Sequence, residues 1–262
     1  MSNTSKPKTQ LDLEKLSKEE LLSLAQSLDV LDDRKKYNKQ DFLFDECLKK
    51  GYKKQLIFFK AGAIYRERAL IAGNRTGKTY TAETEVSYHA NGRYPKGWEG
   101  RKFDHPTIIW EAGKTHETTR DILQKYLLGP KHEMGTGFLP RDDIYWGGKF
   151  QVTSKSGIPD AIQDVYIKHY TNGVFDGYSE IHFKSYVQGV EAFMGAQVHV
   201  VHLDEEPDKR EIYSECVTRT MTTNGIILCT FTPLLGLSEV VLSFLPGGKF
   251  PPGGIGAVDD EQ

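Results

Sequence analysis

Ala72 to Thr79 reads AGNRTGKT, a run of small and glycine residues closed by a lysine and a hydroxyl. Glycines let such a loop curl until several backbone N–H groups point at one anion. The lysine and a following helix N-terminus add positive potential, and the hydroxyl can ligate a hard cation. The chemistry implied is capture of a nucleoside triphosphate with Mg²⁺. The spacing matches the phosphate-binding pattern GxxxxGK[ST] except that Ala72 stands at the first glycine, where a small residue is the minimum requirement. A glycine turn before a helix also arises by chance, so a second motif is needed.

Val198 to Glu206, VHVVHLDEE, supplies it: a β-branched apolar run that ends abruptly in three acids. It reads as a buried strand delivering carboxylates to its C-terminal edge, which is where ligands collect in open parallel sheets. That puts Asp204 beside Lys78, although 204 − 78 = 126 positions separate them. Triphosphate hydrolysis needs one acid at the Mg²⁺ water shell and a second group to orient or deprotonate the attacking water. Asp204 and Glu205 fit these roles in order. Glu206, before Pro207, is expected to face solvent or cap the next helix, and His199 and His202 to be hydrogen-bonded packing residues.

The elements that must position these groups alternate between strand and helix. Ser17 and Glu20 form a capping box for a helix over about 18–29, with Leu21, Leu24 and Leu28 at helical spacing, followed by a charged linker or loosely packed turn at 31–40. Residues 41–66 read as mostly helical and lead to a strand at about 67–72. The helix after the loop should fade near Asn91 and Gly92; Pro106 to Ala112 is the next strand, and Thr115 caps a helix through about Leu128. Gly129 to Pro159 reads as irregular, with a turn at Gly147 and Gly148. Strands at Asp164 to Tyr170 and Glu180 to Tyr186 then form a hairpin turning at either Asn172 and Gly173 or Asp176 and Gly177. After the acidic strand come a helix at about Lys209 to Met221 and a strand at Ile226 to Phe231. This order predicts an α/β fold around a parallel sheet.

Composition bounds the rest. A chain of 262 residues with 38% hydrophobic content can bury a sizeable core, and no apolar run approaches the roughly 18 residues of a spanning helix. Cys47, Cys216 and Cys229 make no CxxC pair, so neither a zinc site nor a disulfide framework is indicated. The formal charge of −2 is uninformative, and the sequence pI of about 6.5 is not that of a dedicated nucleic-acid binder. Basic clusters at Arg34, Lys35, Lys36 and Lys39 and at Lys49, Lys50, Lys53 and Lys54 could contact phosphates but more often form solvated faces.

Gln55 upstream of the loop, GNRTGKT with its Arg75, FKSYVQGVEAFMG from Phe183 to Gly195, LDEEP from Leu203 to Pro207 and CTFTP from Cys229 to Pro233 together resemble the large terminase subunit of tailed bacteriophages. That family comprises the ATP-driven motors that package DNA into preformed capsids, and the resemblance runs from about residue 50 to about residue 245. It implies a P-loop NTPase of the ASCE or RecA-like type, a mostly parallel sheet flanked by helices with a small N-terminal helical lead-in. The expected layout is a lead-in over 1–40, an ATPase domain over 41–246 and a linker over 247–262 toward a nuclease domain, no nuclease activity being expected of the residues present.

The resemblance also implies roles. Gln55 would read the adenine edge; Ala72, Gly73, Asn74, Arg75, Thr76, Gly77, Lys78 and Thr79 would hold ATP; Thr79 and Asp204 would serve Mg²⁺. Glu205 would activate water, with Lys78 and Arg75 neutralising charge, Arg75 as an arginine finger in cis. Thr230 and Thr232 would couple phosphate loss to DNA movement. Many relatives carry an arginine just before the glycine equivalent to Gly195, where this chain has Met194, so an arginine acting in trans would come from elsewhere, Arg101, Arg210 and Arg219 being candidates. Implied partners are double-stranded DNA, the procapsid portal protein, the small terminase subunit and further copies in a ring, in the host cytoplasm. Two other readings share parts of the pattern: a fragment of a helicase-type translocase, and a non-motor nucleotide switch.

Overall fold

The computed structural model describes residues 16–147, 153–232, 238–251, 254 and 256. Gly148, Pro233, Asp259, Asp260, Glu261 and most of the expected C-terminal linker lie outside them, as do residues 1–15. The chain divides into two units, 1–36 and 37–262. The first contains most of helix α1 (Lys18–Tyr37), which starts at the expected capping box: Ser17 N–H donates to Glu20 and Glu20 N–H to Ser17 Oγ. It runs through the stretch expected as a linker, because nothing from 30 to 37 breaks a helix and Arg34, Lys35 and Lys36 suit its C-terminal dipole. No residue of α1 is buried, its leucines included, so their spacing marks a helix without marking a packed face.

The second unit is a seven-stranded sheet between helices. Its strands are β1 (Glu67–Ile71), β2 (Ile108–Gly113), β3 (Thr153–Ser154), β4 (Ile162–Thr171), β5 (Val174–Ser185), β6 (Val200–Asp204) and β7 (Ile226–Phe231), in the order β1-β7-β6-β2-β5-β4-β3. The first five in that order are mutually parallel, and β4 and β3 continue antiparallel. Asn172 (φ 52°) and Gly173 (φ 81°) form the β4–β5 turn, the two left-handed positions a tight hairpin requires. Asp176 and Gly177, the alternative turn, lie inside β5 instead.

Helices α2 (Gln40–Lys50), α3 (Lys53–Ala61) and α4 (Lys78–Asn91) are followed by a segment that starts as α5 (His116–Thr118), passes through a π-helical stretch (Thr119–Gln124) and ends as α6 (Lys125–Leu128). Thr115 caps it as expected, its Oγ1 accepting from Thr118 N–H. One core joins α2, α3, α4 and α6 to the sheet through Phe44, Phe59, Val86, Leu127, Ile109, Val200 and Leu228. A second, on the opposite face, packs α7 (Arg210–Met221) and α8 (Glu239–Ser243) against Trp110, Val201, Leu203, Ile227 and Phe231. Strand alternation sorts these residues: on β6, Val200 belongs to the first core and Val201 to the second. Helix α4 is buried from Thr81 to Asn91 without interruption, so no amphipathic period announces which of its residues meet the sheet.

Across the phosphate-loop segment, β1 and α4 are tied by an ion pair. Arg68 donates to Glu85 through Nη1 (3.0 Å) and Nη2 (2.7 Å), with both side chains almost wholly buried, and Nη1 also reaches Phe58 O. Burial alone would raise the Glu85 carboxyl, but the Arg68 guanidinium and a hydrogen bond to His89 outweigh it and hold the group below its ordinary 4.5. Glu85→Gln, which leaves the arginine buried without its counter-charge, should destabilise the fold by about 3–5 kcal/mol in denaturant melts. Because the folded value is depressed, this stabilisation is present above about pH 4.5 and lost as pH falls through the folded value. The acid limb of the stability–pH curve should therefore flatten in the variant.

Candidate nucleotide-binding active site

The ends of three adjacent parallel strands converge. β1 leads into Ala72, whose N–H donates to Phe231 O of β7 (3.2 Å), and β7 pairs in register with β6, Asp204 opposite Thr230. β7 thus separates the loop strand from the acid strand and carries Thr230 between them, with Thr232 one residue past its end. The chain turns from the loop into α4 at Gly77, whose φ of 83° is cheap only for glycine.

The loop closes on itself and on the acids. Lys78 Nζ donates to Gly73 O (3.0 Å) and to Thr232 Oγ1 (2.8 Å), and Thr76 Oγ1 donates to Gly73 O (3.0 Å). Thr79 Oγ1 donates to Asp204 Oδ1 (2.8 Å), as does Thr230 Oγ1 (2.7 Å). Glu205 Oε2 accepts from Thr232 N–H (3.0 Å), and its Oε1 lies 3.1 Å from Thr232 Oγ1. That hydroxyl is also 3.1 Å from Asn74 Oδ1. Having one proton, Thr232 can donate to Glu205 or to Asn74 but not to both, while Lys78 donates to it.

Two residues here hold left-handed backbone without being glycine: Arg75 (φ 61°) and Glu205 (φ 59°). Each conformation costs on the order of 1–3 kcal/mol, and such strain clusters at functional sites. Glu205 is pinned by its N–H to Thr230 O (2.9 Å) and by the Tyr186 hydroxyl, which lies 2.9 Å from Glu205 O and 3.1 Å from Asp204 O. Arg75 is exposed, makes no hydrogen bond or ion pair to a described residue, and lines a cleft of about 590 Å³. Thr76 to Tyr80, Lys39, Tyr126 and Phe138 line the same cleft. Of these, Tyr126 and Phe138 escape a reading for motifs because they come from a helix flank and from irregular chain. Tyr80 packs on Phe138 at 5.0 Å between ring centroids.

Gln55, on α3, lies close to the loop: a Cβ at Gly77 would come within 3.8 Å of its Nε2. Glu206 is half-buried and does not cap α7, whose N-cap is Lys209 with no side-chain hydrogen bond. The arginines weighed as trans-acting are all engaged within the chain, Arg101 with Asn224 O, Arg210 with Glu239 and Arg219 with Glu215. Both histidines of the acid strand are hydrogen-bonded packing residues, as expected, His199 Nδ1 accepting from Ile108 N–H. Of the basic clusters, Lys39 alone lines the cleft and the others are exposed.

The donor set at Thr79 and Asp204 fits Mg²⁺. A hydroxyl and a carboxylate are hard oxygen ligands of the kind this ion takes singly or in pairs while keeping several waters, and no described donor reaches Asp204 Oδ2.

Behind Asp204 lies a buried polar cluster that sequence reading does not reveal. His202 Nδ1 is 2.8 Å from Glu111 Oε2 and 3.4 Å from Glu83 Oε1, and its Nε2 is 2.9 Å from Thr230 Oγ1. Burial would lower the imidazole, but the Glu111 and Glu83 carboxyls more than reverse this and push it well above its usual range. Glu83 itself is pushed well up, first by burial and then by the Glu111 charge. Among the described residues neither Glu83 oxygen accepts a hydrogen bond, and His202 Nδ1, 3.4 Å from Oε1, is the group that offsets its charge.

A family model for the N-terminal part of the terminase large subunit, T4-like virus type, matches residues 69–252. The large terminase subunit of Salmonella phage P22 is 36% identical over 249 residues, covering 89% of this chain and 48% of that protein. The chain therefore spans about half the length of that curated relative. Among solved structures, the large terminase ATPase domain of Thermus phage P74-26 is 16% identical with a TM-score of 0.46, over 72% of this chain and 67% of that one. The large terminase of another thermophilic bacteriophage, in complex with ADP, is 14% identical with a TM-score of 0.41, over 68% of this chain and 38% of that one.

Proposed function

Because this chain belongs to the large terminase subunit family, we propose that the cleft binds and hydrolyses ATP to drive double-stranded DNA into a procapsid. One observation carries the reading: a phosphate-loop lysine, a loop-helix hydroxyl and two successive strand-end acids meet through Thr232 and Asp204 within single hydrogen bonds. Lys78 and the loop N–H groups hold the β and γ phosphates. Thr79 and Asp204 hold Mg²⁺, which when bound neutralises phosphate charge. Glu205 orients and deprotonates the attacking water, Arg75 meets the charge that develops on the γ-phosphoryl group, and Gln55 and the aromatic wall of the cleft take the base. ATP and Mg²⁺ are thus the ligands of the site.

Coupling to DNA falls to Thr230 and Thr232. The Thr232 hydroxyl stands between Lys78, Asn74 and Glu205, so a change in what Lys78 holds redirects its single proton. For the wider machine the family supports a ring of copies on the portal protein, with the small terminase subunit and DNA, in the host cytoplasm. In domain terms, 41–246 is the motor, with a lead-in at 1–40 and a linker at 247–262.

Lys78→Ala is the variant that tests ATP capture. It removes a charged donor at the phosphates while leaving the two acids in place, and contacts of this kind contribute about 1.5–3 kcal/mol. Affinity for Mg·ATP should fall roughly tenfold to a hundredfold in equilibrium titrations. Unchanged affinity would remove the loop from the nucleotide site, and a preference for GTP over ATP would favour the switch reading.

A further inference from the structure

Glu111, His202, Thr230 and Asp204 form one unbroken chain of hydrogen bonds on a single face of the sheet. Glu111 is the register partner of His202 across β2 and β6, and Asp204 that of Thr230 across β6 and β7. On β6, His202 and Asp204 are two residues apart and so share the face that carries α4, from which Glu83 and Thr79 approach. Glu83, Glu111, His202 and Thr230 have no exposed surface. Placing two acids and an imidazole in a core is costly unless each is paired, and an apolar trio would pack there without that cost. A role in packing alone does not account for the choice.

Donor counting gives the chain a direction. Asp204 can only accept, so Thr230 spends its single proton on Asp204 Oδ1, and the contact between Thr230 Oγ1 and His202 Nε2 must be an N–H of the imidazole donating to the hydroxyl. Glu111 at Nδ1 fixes the ring plane that aims this N–H. Asp204 Oδ1 then receives two hydroxyl protons, from Thr230 and Thr79, which locks the carboxylate rotamer and leaves Oδ2 for the cation side.

We propose that His202 is a positioning residue for the Mg²⁺ edge of the site: held by Glu111, it fixes the Thr230 hydroxyl, which in turn fixes Asp204. This rests on the reading of Asp204 as the acid that serves Mg²⁺. Partners standing behind a metal-binding carboxylate are typically worth about tenfold to a hundredfold in metal affinity.

The test is Mg²⁺-titrated binding of a non-hydrolysable ATP analogue to the whole chain, beside binding of the same analogue in EDTA. For His202→Met and Thr230→Val the Mg²⁺ concentration at half-saturation should rise about tenfold or more, while affinity in EDTA stays within about twofold of wild type. His202→Gln, which keeps an N–H donor, should recover part of the loss, and the double variant should be no worse than the poorer single one, as members of one chain are not additive. If His202→Met does not fold, the near-isosteric Thr230→Val carries the same prediction. A lowered melting temperature with wild-type Mg²⁺ half-saturation in both variants would overturn the proposal. So would an equivalent of tightly bound metal lost from Glu83→Gln, since Nδ1 would then ligate an ion instead of pairing with Glu111. Failure of the wild-type chain to bind the analogue with Mg²⁺ would instead sink the underlying reading of the site.

Discussion

Glu205→Gln should bind Mg·ATP as tightly as the wild-type chain and lose turnover by about a hundredfold to ten-thousandfold, the range expected when a general base is removed. The two halves of this expectation have different causes. Glutamine has the shape of glutamate, and its amide oxygen can still accept the Thr232 N–H that Glu205 Oε2 accepts at 3.0 Å. The backbone clamps at Thr230 O and Tyr186 do not involve the side chain, so the left-handed turn at φ 59° persists. In the proposed reading the phosphate contacts come from Lys78 and the loop, which the substitution leaves intact. What disappears is the capacity to take a proton from water. The check is ATP binding and hydrolysis by both proteins at several concentrations, with and without double-stranded DNA. Turnover that rises with wild-type concentration and stays absent in the variant would mark a base whose site a neighbouring copy completes. Equal turnover in the two would move the base away from Glu205.

Reading the sequence reaches far at this site and stops at a definable place. The phosphate loop and the DEE run are local patterns: the requirement for small residues, a lysine and strand-end acids is written within eight or nine consecutive positions, and the α/β order brings their strands together. The hairpin turn is open in sequence between two Asx-Gly pairs because both satisfy a left-handed turn, and only pairing decides it: Lys168 opposite Tyr178 and Thr171 opposite Val174 leave Asn172 and Gly173 at the tip. The cluster behind Asp204 is not local at all. Glu111 meets His202 because β2 and β6 pair in that register, and Glu83 joins them from a helix buried along nearly its whole length. The apolar flanks of His202 suggest packing, which is true and incomplete. The overextended α1 fails for the opposite reason: helix propensity continues past its apolar spacing, and nothing in a charged stretch without glycine or proline stops it.

Arg75→Ala should lower turnover by about a thousandfold, the lower bound for a transition-state arginine, with affinity for ATP changed only a few-fold. Arg75 stands in the loop with its backbone at φ 61°, exposed along the cleft and without a hydrogen bond or ion pair to any described residue. A guanidinium used to hold the loop would be expected to bond backbone carbonyls, and the Gly73 carbonyl is instead taken by Thr76 and Lys78. The side chain is therefore available for charge that develops during reaction. Because alanine tolerates this backbone no worse than arginine, the loop should keep its shape, and Arg75→Lys separates charge from geometry: lysine restores the charge without the planar fork, so intermediate turnover is expected. A raised KM with unchanged kcat would instead assign Arg75 to ground-state binding. Wild-type kinetics in both variants would shift the role to an arginine outside this loop. Arg101, Arg210 and Arg219 each already hold a contact within the chain, to Asn224 O, Glu239 and Glu215, with which recruitment to a neighbouring copy's site would compete.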